Sequence, residues 1–392
     1  MNLSNQESTV LSINKLITPF EEISDAVIAW DGSGKITYSG PAHELGKVLG
    51  SHIKVDASIA IPGLINIHVH GGFGVTFGLG ELESELMKYS NWAASNGVTG
   101  FVLTINGPDQ DFIINTIKRY VPLLEQDFPG AQPLGLHLEG PFLNPEKLGA
   151  FNPNWIRFPS ISEMHAYLDA GKGWIKHVTL SPELKGAGKI ADLLRENNIH
   201  AALGHSNADF ETASRSLNDS FTHITHTFNA QSVLHHRAPG VVGAILTSKK
   251  CTAELITDTA HVHPAAMQIL IKCLGPERIV IITDAMPGAG LPDGIYDLLG
   301  QSAIVKDGKA VMASDGRLAG STATMNKSIH TMHFGVKMPL IPTVRMATYN
   351  PATVIGLEKS IGSLEIGKQA DFVILDNSLN VKMTFRNGKQ IF

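Results

Sequence analysis

Eight short apolar runs punctuate this chain, at 64–70, 98–105, 134–139, 175–181, 199–205, 222–228, 252–258 and 278–284. Several of the stretches between them repeat their hydrophobic residues at helical spacing. Residues 81–96 place Leu82, Leu86, Tyr89 and Ala93 on one face, and residues 109–128 do the same with Phe112, Ile113, Ile117, Val121 and Leu124. Further helices are predicted over 162–170, 187–197, 207–217 and 264–274. Ser206 and Asp209 have the spacing of a capping box, and Pro264 suits a first helical position. Strands alternating with helices of this length predict a parallel sheet. Eight of them allow closure, so the expected fold is α/β, a (β/α)8 barrel of the TIM type. The alternative, an open doubly wound sheet, would gather its functional residues at one switch point.

The two ends of the chain read differently. Short strands at 26–30 and 35–39 flank Asp31-Gly32-Ser33-Gly34, a hairpin signal. After a last helical region at 343–355, strand chemistry returns at 372–375, at 381–385 and beyond Asn387-Gly388. This predicts a small β-sandwich domain built from both chain ends, residues 1–60 and 356–392, beside a barrel over 61–355. Two connections are long: 141–174, and 286–320 with a hairpin at 303–305 and 310–312. Loops of that length over the active face shape substrate binding.

Composition narrows the function classes. The 392 residues are 43% hydrophobic and 17% charged, enough for one large and one small domain. A net charge of −5 leaves no basic surplus for a phosphate backbone, so no nucleic-acid partner is expected. No apolar run approaches the roughly 20 residues that a membrane helix needs. Residues 1–8 lack the cationic and apolar segments of a leader. Cys251 and Cys273 are the only cysteines, which fits a reducing cytoplasm.

The chemistry lies at the ends of the apolar runs. His68, His70, Thr104, Glu139, Thr179, His205, His226, Asp258 and Asp284 sit near or just past their C-terminal ends, where barrel enzymes carry catalytic residues. His68 and His70 share one face of a strand and can grip one ion; the other reading is two polar residues bonded locally. Gly71-Gly72 allows a close backbone approach. Glu139, before Gly140-Pro141, is costly to bury unless it meets a cation, either a metal or a basic side chain such as Lys147 or Arg157. His137 lies deeper on the same face and reads as a core histidine or a support for the ligands. His205 and His226 end neighbouring strands and can sit side by side. His223, three positions from His226, is expected to face the other way and to be structural. Asp284 reads as catalytic or as a helix N-cap, and Asp258 as a partner of His261 or a loop cap. Nitrogen plus carboxylate ligands without thiolate suit zinc, or iron, manganese or cobalt, as one or two ions. Arg237, read alone, is a solvated loop arginine; near a metal site it could hold an anionic group.

Together the segments PGLINIHVHGG (62–72), GLHLEGPF (135–142), GHSNA (204–208), THTFNA (225–230), TDAM (283–286) and LAGS (318–321) resemble the N-acetylglucosamine-6-phosphate deacetylases of the amidohydrolase superfamily. The tail GSLEIGKQAD (362–371) is similar to that superfamily's β-domain. The resemblance implies a metal-dependent enzyme that removes the acetyl group of N-acetylglucosamine 6-phosphate in amino-sugar catabolism. It implies metal ligands at Glu139, His205 and His226, with His68 and His70 matching a pair that some members use for a second ion. It implies a catalytic Asp284. Substrate contacts are implied at Ala150, Phe151, Asn229, Ala230, Arg237, His261, Leu318, Ala319 and Gly320. Because the arginine loop of the family binds phosphate across a subunit boundary, a homodimer is implied.

Four positions depart from the family pattern. Phe151 stands where a sugar-contacting histidine is expected, Thr259-Ala260 replaces a glycine, Gln231 a methionine and Asn66 an aspartate. None removes a metal ligand. Phe151 keeps open a deacetylase of N-acetylgalactosamine 6-phosphate or of another N-acyl amino sugar. A cyclic-amide hydrolase of the dihydroorotase kind would carry a modified lysine on the fourth strand, whereas Lys176 starts that run, far from the mouth. A non-catalytic scaffold would have lost ligands that this chain keeps.

Overall fold

The computed structural model describes residues 8–46, 50–298 and 300–392, with the backbone alone at 56 and 57. The leader-free reading of residues 1–8 therefore falls, except for Ser8, outside the described residues. Four strands open the chain: β1 (Ser8–Ile17), β2 (Glu22–Trp30), β3 (Ile36–Pro41) and β4 (Gly50–Pro62). Next, β5 (Leu64–Val69) begins the barrel and runs into a tight ribbon, β6 (Gly71–Gly72) and β7 (Val75–Thr76). The other barrel strands are β8 (Val98–Ile105), β9 (Gln132–Glu139), β10 (Ile175–Leu180), β11 (His200–Leu203), β12 (Phe221–Ile224), β13 (Thr252–Ile256) and β14 (Ile279–Ile282). All eight expected strands are present, within a few residues of the apolar runs.

The helices between barrel strands are α1 (Leu82–Ser95), α2 (Gln110–Leu124), α3 (Ile161–Gly171), α4 (Ala187–Glu196), α5 (Phe210–Asp219), α6 (Gly240–Thr247) and α7 (Pro264–Leu274). The sequence does not single out α6: its residues, GVVGAILT, are apolar all round and carry no period. In α5 the cap differs from the expectation. Asp209, not Ser206, is the N-cap and accepts the Thr212 N–H at 2.8 Å. Ser206 instead donates to Glu183 at 2.7 Å, which holds residues 206–208 in a turn.

Parallel pairing runs in chain order from β5 through β8 to β14. Backbone bonds then join the two ends of this sheet. The Asp284 N–H donates to the His68 carbonyl at 3.0 Å, and the His70 N–H donates to the Ala285 carbonyl at 3.0 Å. The seam that closes the barrel therefore lies among candidate site residues.

After β14 come β15 (Gly294–Leu298), β16 (Gln301–Lys306) and β17 (Lys309–Met312), an antiparallel sheet that contains the expected hairpin and adds one strand to it. Then follow α8 (Met325–His330), α9 (Leu340–Ala347) and α10 (Tyr349–Val354). The single helical region expected at 343–355 is thus two helices. Thr348 breaks it at φ −133°, and Pro351 has no N–H to continue the ladder to residue 347.

The C-terminal strands β18 (Phe372–Leu375), β19 (Val381–Arg386) and β20 (Lys389–Gln390) join the N-terminal ones in one sheet, ordered β20-β19-β18-β4-β1-β2-β3. Both chain ends build this β unit, as the sequence predicts. Strand alternation explains why all of β18 is buried. Phe372 and Ile374 join Leu11, Ile28 and Ala60 in the unit's own core, whereas Val373 and Leu375 join the cluster shared with the barrel helices. Trp30 packs against Phe372 and Phe385, with ring centroids 5.4 and 6.2 Å apart.

Trp30 therefore ties strands from opposite chain ends together. The variant Trp30→Ala should lose about 3–5 kcal/mol of unfolding free energy in a urea titration; a loss below about 1 kcal/mol would mean that the two ends do not share one core.

Candidate metal and active site

Five strand ends build the site. His68 lies on β5 and His70 just past it, Glu139 ends β9, and His205, His226 and Asp284 each lie two residues beyond β11, β12 and β14. These last three have left-handed backbones, with φ of 48°, 26° and 49°. Such a conformation is uncommon outside glycine and costs about 1–2 kcal/mol. It turns the chain sharply and aims each side chain over the barrel mouth instead of along the strand's alternation. Strain of this kind clusters at functional sites.

The two oxygens of Glu139 face two sets of imidazoles. Oε1 lies 3.1 Å from His205 Nε2 and 3.0 Å from His226 Nε2, which are themselves 3.0 Å apart. Oε2 lies 2.9 Å from His70 Nε2 and 3.6 Å from His68 Nε2. Asp284 Oδ1 approaches the same pair, at 3.3 Å from His70 and 3.4 Å from His68. Two candidate ligand groups result: Glu139, His205 and His226, and His68, His70 and Asp284, each with its atoms within 4.8 Å of one another.

Outer partners set the tautomers. His205 Nδ1 lies 2.8 Å from the Lys147 carbonyl, to which it must donate, so Nε2 is the nitrogen left to offer a lone pair to an ion. His68 Nδ1 likewise donates to Glu254 Oε2 at 2.8 Å. Its Nε2 is buried and has no hydrogen-bond partner among the described residues. Lone pairs and carboxylate oxygens facing each other at these distances repel unless a cation lies among them. A tetrahedral ion with ligands at 2.0–2.2 Å spaces those ligands roughly 3.3–3.6 Å apart, close to the separations observed. The residues present therefore fit a divalent ion.

Electrostatics agree. Burial would push the Glu139 carboxyl up, but the imidazoles led by His68 hold it well below the usual range. Burial likewise opposes ionisation of Asp284, yet His68 and His70 keep it below its ordinary value. Burial disfavours a charged His70, but Asp284 and Glu139 raise it to about 9. Protons on the imidazoles balance the carboxylates when no ion does so.

The site opens into a cavity of about 300 Å³. Ala150, Phe151, Asn229, Ala230, His261, Leu318 and Gly320 line it together with His70, Glu139, His205, His226 and Asp284. His68 sits beneath, fully buried. Two expected contacts lie elsewhere. Ala319 packs with Met286 and Ala303, because its N–H bonds the Ala310 carbonyl at 3.2 Å and turns its methyl away from the cavity. Arg237 is exposed and lies 2.7 Å from His236 Nε2; a tight turn between His235 and Ala238 projects it outward. Asp258 fills both of its readings: Oδ2 pairs with His261 Nδ1 at 2.7 Å, and Oδ1 caps the Ala260 and His261 N–H groups. The ring of Phe151 meets that of His205 edge-on at 5.0 Å.

His223 is structural, but not because it faces away. It points into the barrel, 2.7 Å from Thr252 Oγ1 and 3.2 Å from Glu254 Oε1. The alternation argument fails because the chain leaves strand geometry before His226. His137 is a core histidine, bonded to Thr104 and Thr179 and stacked on His177 at 3.9 Å.

Glu254 is the residue that the sequence does not single out. Fully buried on β13, it holds His68, His223 and the His226 N–H, the last at 3.0 Å. A carboxylate in the middle of an apolar strand is itself the signal, since burial demands a partner. Asn106, Trp155, Met286, Leu298, Gln301 and Arg317 also line the cavity without being expected.

The amidohydrolase family model matches residues 59–391. The chain is 35% identical over 372 residues to an N-acetylglucosamine-6-phosphate deacetylase of Vibrio furnissii, covering 94% of this chain and 91% of that protein. It is 36% identical over 334 residues to an N-acetylgalactosamine-6-phosphate deacetylase of Escherichia coli O157:H7, covering 85% and 88%. A mutant N-acetyl-D-glucosamine-6-phosphate deacetylase of Mycobacterium smegmatis, in complex with N-acetyl-D-glucosamine-6-phosphate, superposes with a TM-score of 0.91 at 28% identity, covering 98% of this chain and 99% of that one.

Two outcomes follow from this geometry. Glu254→Gln should weaken metal binding by about 10–100-fold in a chelator competition, because an outer carboxylate fixes its histidine ligand; unchanged affinity would detach Glu254 from His68. Ion-free protein titrated with zinc at pH 7.5 should release protons, since His70 stays protonated up to about 9 and must give up its proton to bind. Metal affinity should accordingly rise with pH towards that value, and a pH-independent affinity would remove His70 from the ligand set.

Proposed function

The chain belongs to the amidohydrolase family, and from that premise we propose that it hydrolyses the acetamide of N-acetylglucosamine 6-phosphate. The products are glucosamine 6-phosphate and acetate, as in amino-sugar catabolism. The observation that carries this reading is Glu139 shared between two imidazole pairs, at the mouth of a cavity that also presents Asp284 and His261. In this reading residues 61–355 carry the chemistry, and residues 1–60 with 356–392 form the accompanying β domain.

Glu139, His205 and His226 would hold one divalent ion, and His68 and His70 a second; zinc suits the donors best, with iron, manganese or cobalt as alternatives. When bound, such an ion lowers the pKa of water to roughly 7 and polarises the amide carbonyl. Asp284, kept ionised by its histidine neighbours, accepts the proton of the attacking water. It then delivers that proton to the amine nitrogen as the C–N bond breaks. Asp258 holds His261 by its Nδ1, which fixes the ring in the cavity wall beside the place where charge would develop on the carbonyl oxygen. Phe151 and Trp155 give the cavity an apolar wall against which a sugar ring can pack.

Arg237, outside its own chain's cavity, is proposed to reach the phosphate bound by a partner subunit, which makes a homodimer the working unit. A cytoplasmic location is proposed; no described helix is long and apolar enough to cross a membrane. The galacto epimer is the second reading. The relative at 36% identity carries that substrate in its name, and Phe151 offers the sugar no hydrogen bond.

Acetate release should be fastest on N-acetylglucosamine 6-phosphate among that sugar, its galacto epimer and both unphosphorylated forms. Faster release from the galacto epimer would reassign the substrate, and release from none would overturn the activity. Asp284→Asn should lower kcat by about 10²–10⁴-fold, with the ion at Glu139, His205 and His226 retained by metal analysis; unimpaired turnover would exclude Asp284 as the base.

A further inference from the structure

Glu183 lies outside both the cavity and the two ligand groups, in the connection between β10 and α4. It is half-buried, and its carboxylate is shared among three donors from two other loops. Oε1 accepts the Asn144 side-chain amide at 2.8 Å and the Asn207 N–H at 2.7 Å. Oε2 accepts the Ser206 hydroxyl at 2.7 Å. Asn144 belongs to the connection that follows Glu139, and Ser206 and Asn207 come directly after His205. One carboxylate thus ties the loops beyond β9 and β11 together across the end of β10. Main-chain bonds complete the knot. The His205 carbonyl accepts the Asn144 N–H at 3.1 Å and the Ser181 hydroxyl at 2.6 Å.

The segment that starts at this knot touches both the metal ligands and the cavity. Its Lys147 carbonyl takes the His205 Nδ1–H. Gly149, with φ 59°, passes so near that a Cβ there would lie 3.2 Å from His205 Cε1. Ala150 and Phe151 then form part of the cavity wall. One stretch of chain therefore sets both the imidazole and the wall. His205 itself keeps its left-handed φ of 48° only because its surroundings over-determine it.

We infer that Glu183 is a positioning residue, which locks His205 and the 147–151 wall into one arrangement and so couples ion binding to sugar binding. The inference rests on the metal site of the reading above, not on which amino sugar is cleaved. Hydrogen bonds to a carboxylate are roughly twice as strong as neutral ones, so three of them hold two loops firmly. Without them the turn at His205 relaxes, and its Nε2 no longer points at the position between Glu139 and His226. A sugar packed on Ala150 and Phe151 loses the same support, and linkage makes the coupling reciprocal.

A plainer role for Glu183 is loop stability alone. That would lower resistance to urea and leave the affinity for the ion untouched.

The test uses the full-length protein, stripped of metal and titrated with zinc against a chelator. Glu183→Ala should raise the zinc Kd about 10–100-fold, as loss of an outer partner of a ligand does. Glu183→Gln keeps the shape and one acceptor oxygen, so its loss should be smaller. In the zinc-loaded proteins the Kd for glucosamine 6-phosphate should rise about fivefold or more in Glu183→Ala. Zinc should slow hydrogen exchange of the amides at 144–151 in the wild type but not in Glu183→Ala. Glu163→Gln, which breaks an ion pair with Arg157 further along the same connection, should leave the zinc Kd unchanged. An unchanged zinc Kd in Glu183→Ala, or an equal loss in Glu163→Gln, would overturn the positioning role. Wild-type protein that binds zinc but releases no acetate would refute the deacetylase reading and leave this one standing.

Discussion

Glu139 is almost without solvent contact, and its two oxygens are divided between His205 and His226 on one side and His68 and His70 on the other. A carboxylate in that position is tolerable only with positive charge beside it. The barrel's organisation follows from this requirement. The four partners come from three other strand ends, those of β5, β11 and β12, so they cannot surround Glu139 until the strands have taken their order. The seam that ends the ordering, between β14 and β5, also brings Asp284 beside His68 and His70. Closure of the fold and completion of the site are one event.

Supporting that carboxylate costs the barrel part of its apolar interior. Where side chains of branched hydrocarbons would fill the layers, His137, His177 and His223 stack with Thr104, Thr179 and Thr225. Burial keeps His137 and His177 well below the ordinary histidine value, so they enter this layer neutral. Charge is confined to the pair Glu254 and His68 and to the ligands above them. Glu254 thus serves as the lower counterpart of Glu139. One carboxylate faces the substrate, and the other faces the imidazole that the first one needs.

Much of this was legible in the sequence. The apolar runs give the eight strands, and the histidines and carboxylates at their ends give the ligands, because strand burial and mouth chemistry follow local composition. Other features depend on geometry that composition does not carry. Left-handed turns at His205 and His226 break the alternation on which His223 was judged. Ala319 lies between two cavity residues but points the other way, since a backbone bond to Ala310 sets its direction. Glu254 sits mid-strand and so escapes a reading focused on strand ends. Arg317 reaches the cavity only because a long connection folds back over it. Helix α6 shows no polar face over its first six residues, all of which are buried.

The β unit shared by both chain ends bears on how the protein emerges during synthesis. A ribosome delivers β1 to β4 first and the whole barrel next, so the barrel can close as soon as β14 is out. The partners of β4 in the sheet are β1 and β18, and β18 follows the whole barrel along the chain. Until then β4 presents an open hydrogen-bonding edge, and Leu11, Ile28 and Ala60 lack the cover of Phe372 and Phe385. A chain cut short near its end would carry a finished catalytic barrel beside an adhesive strand.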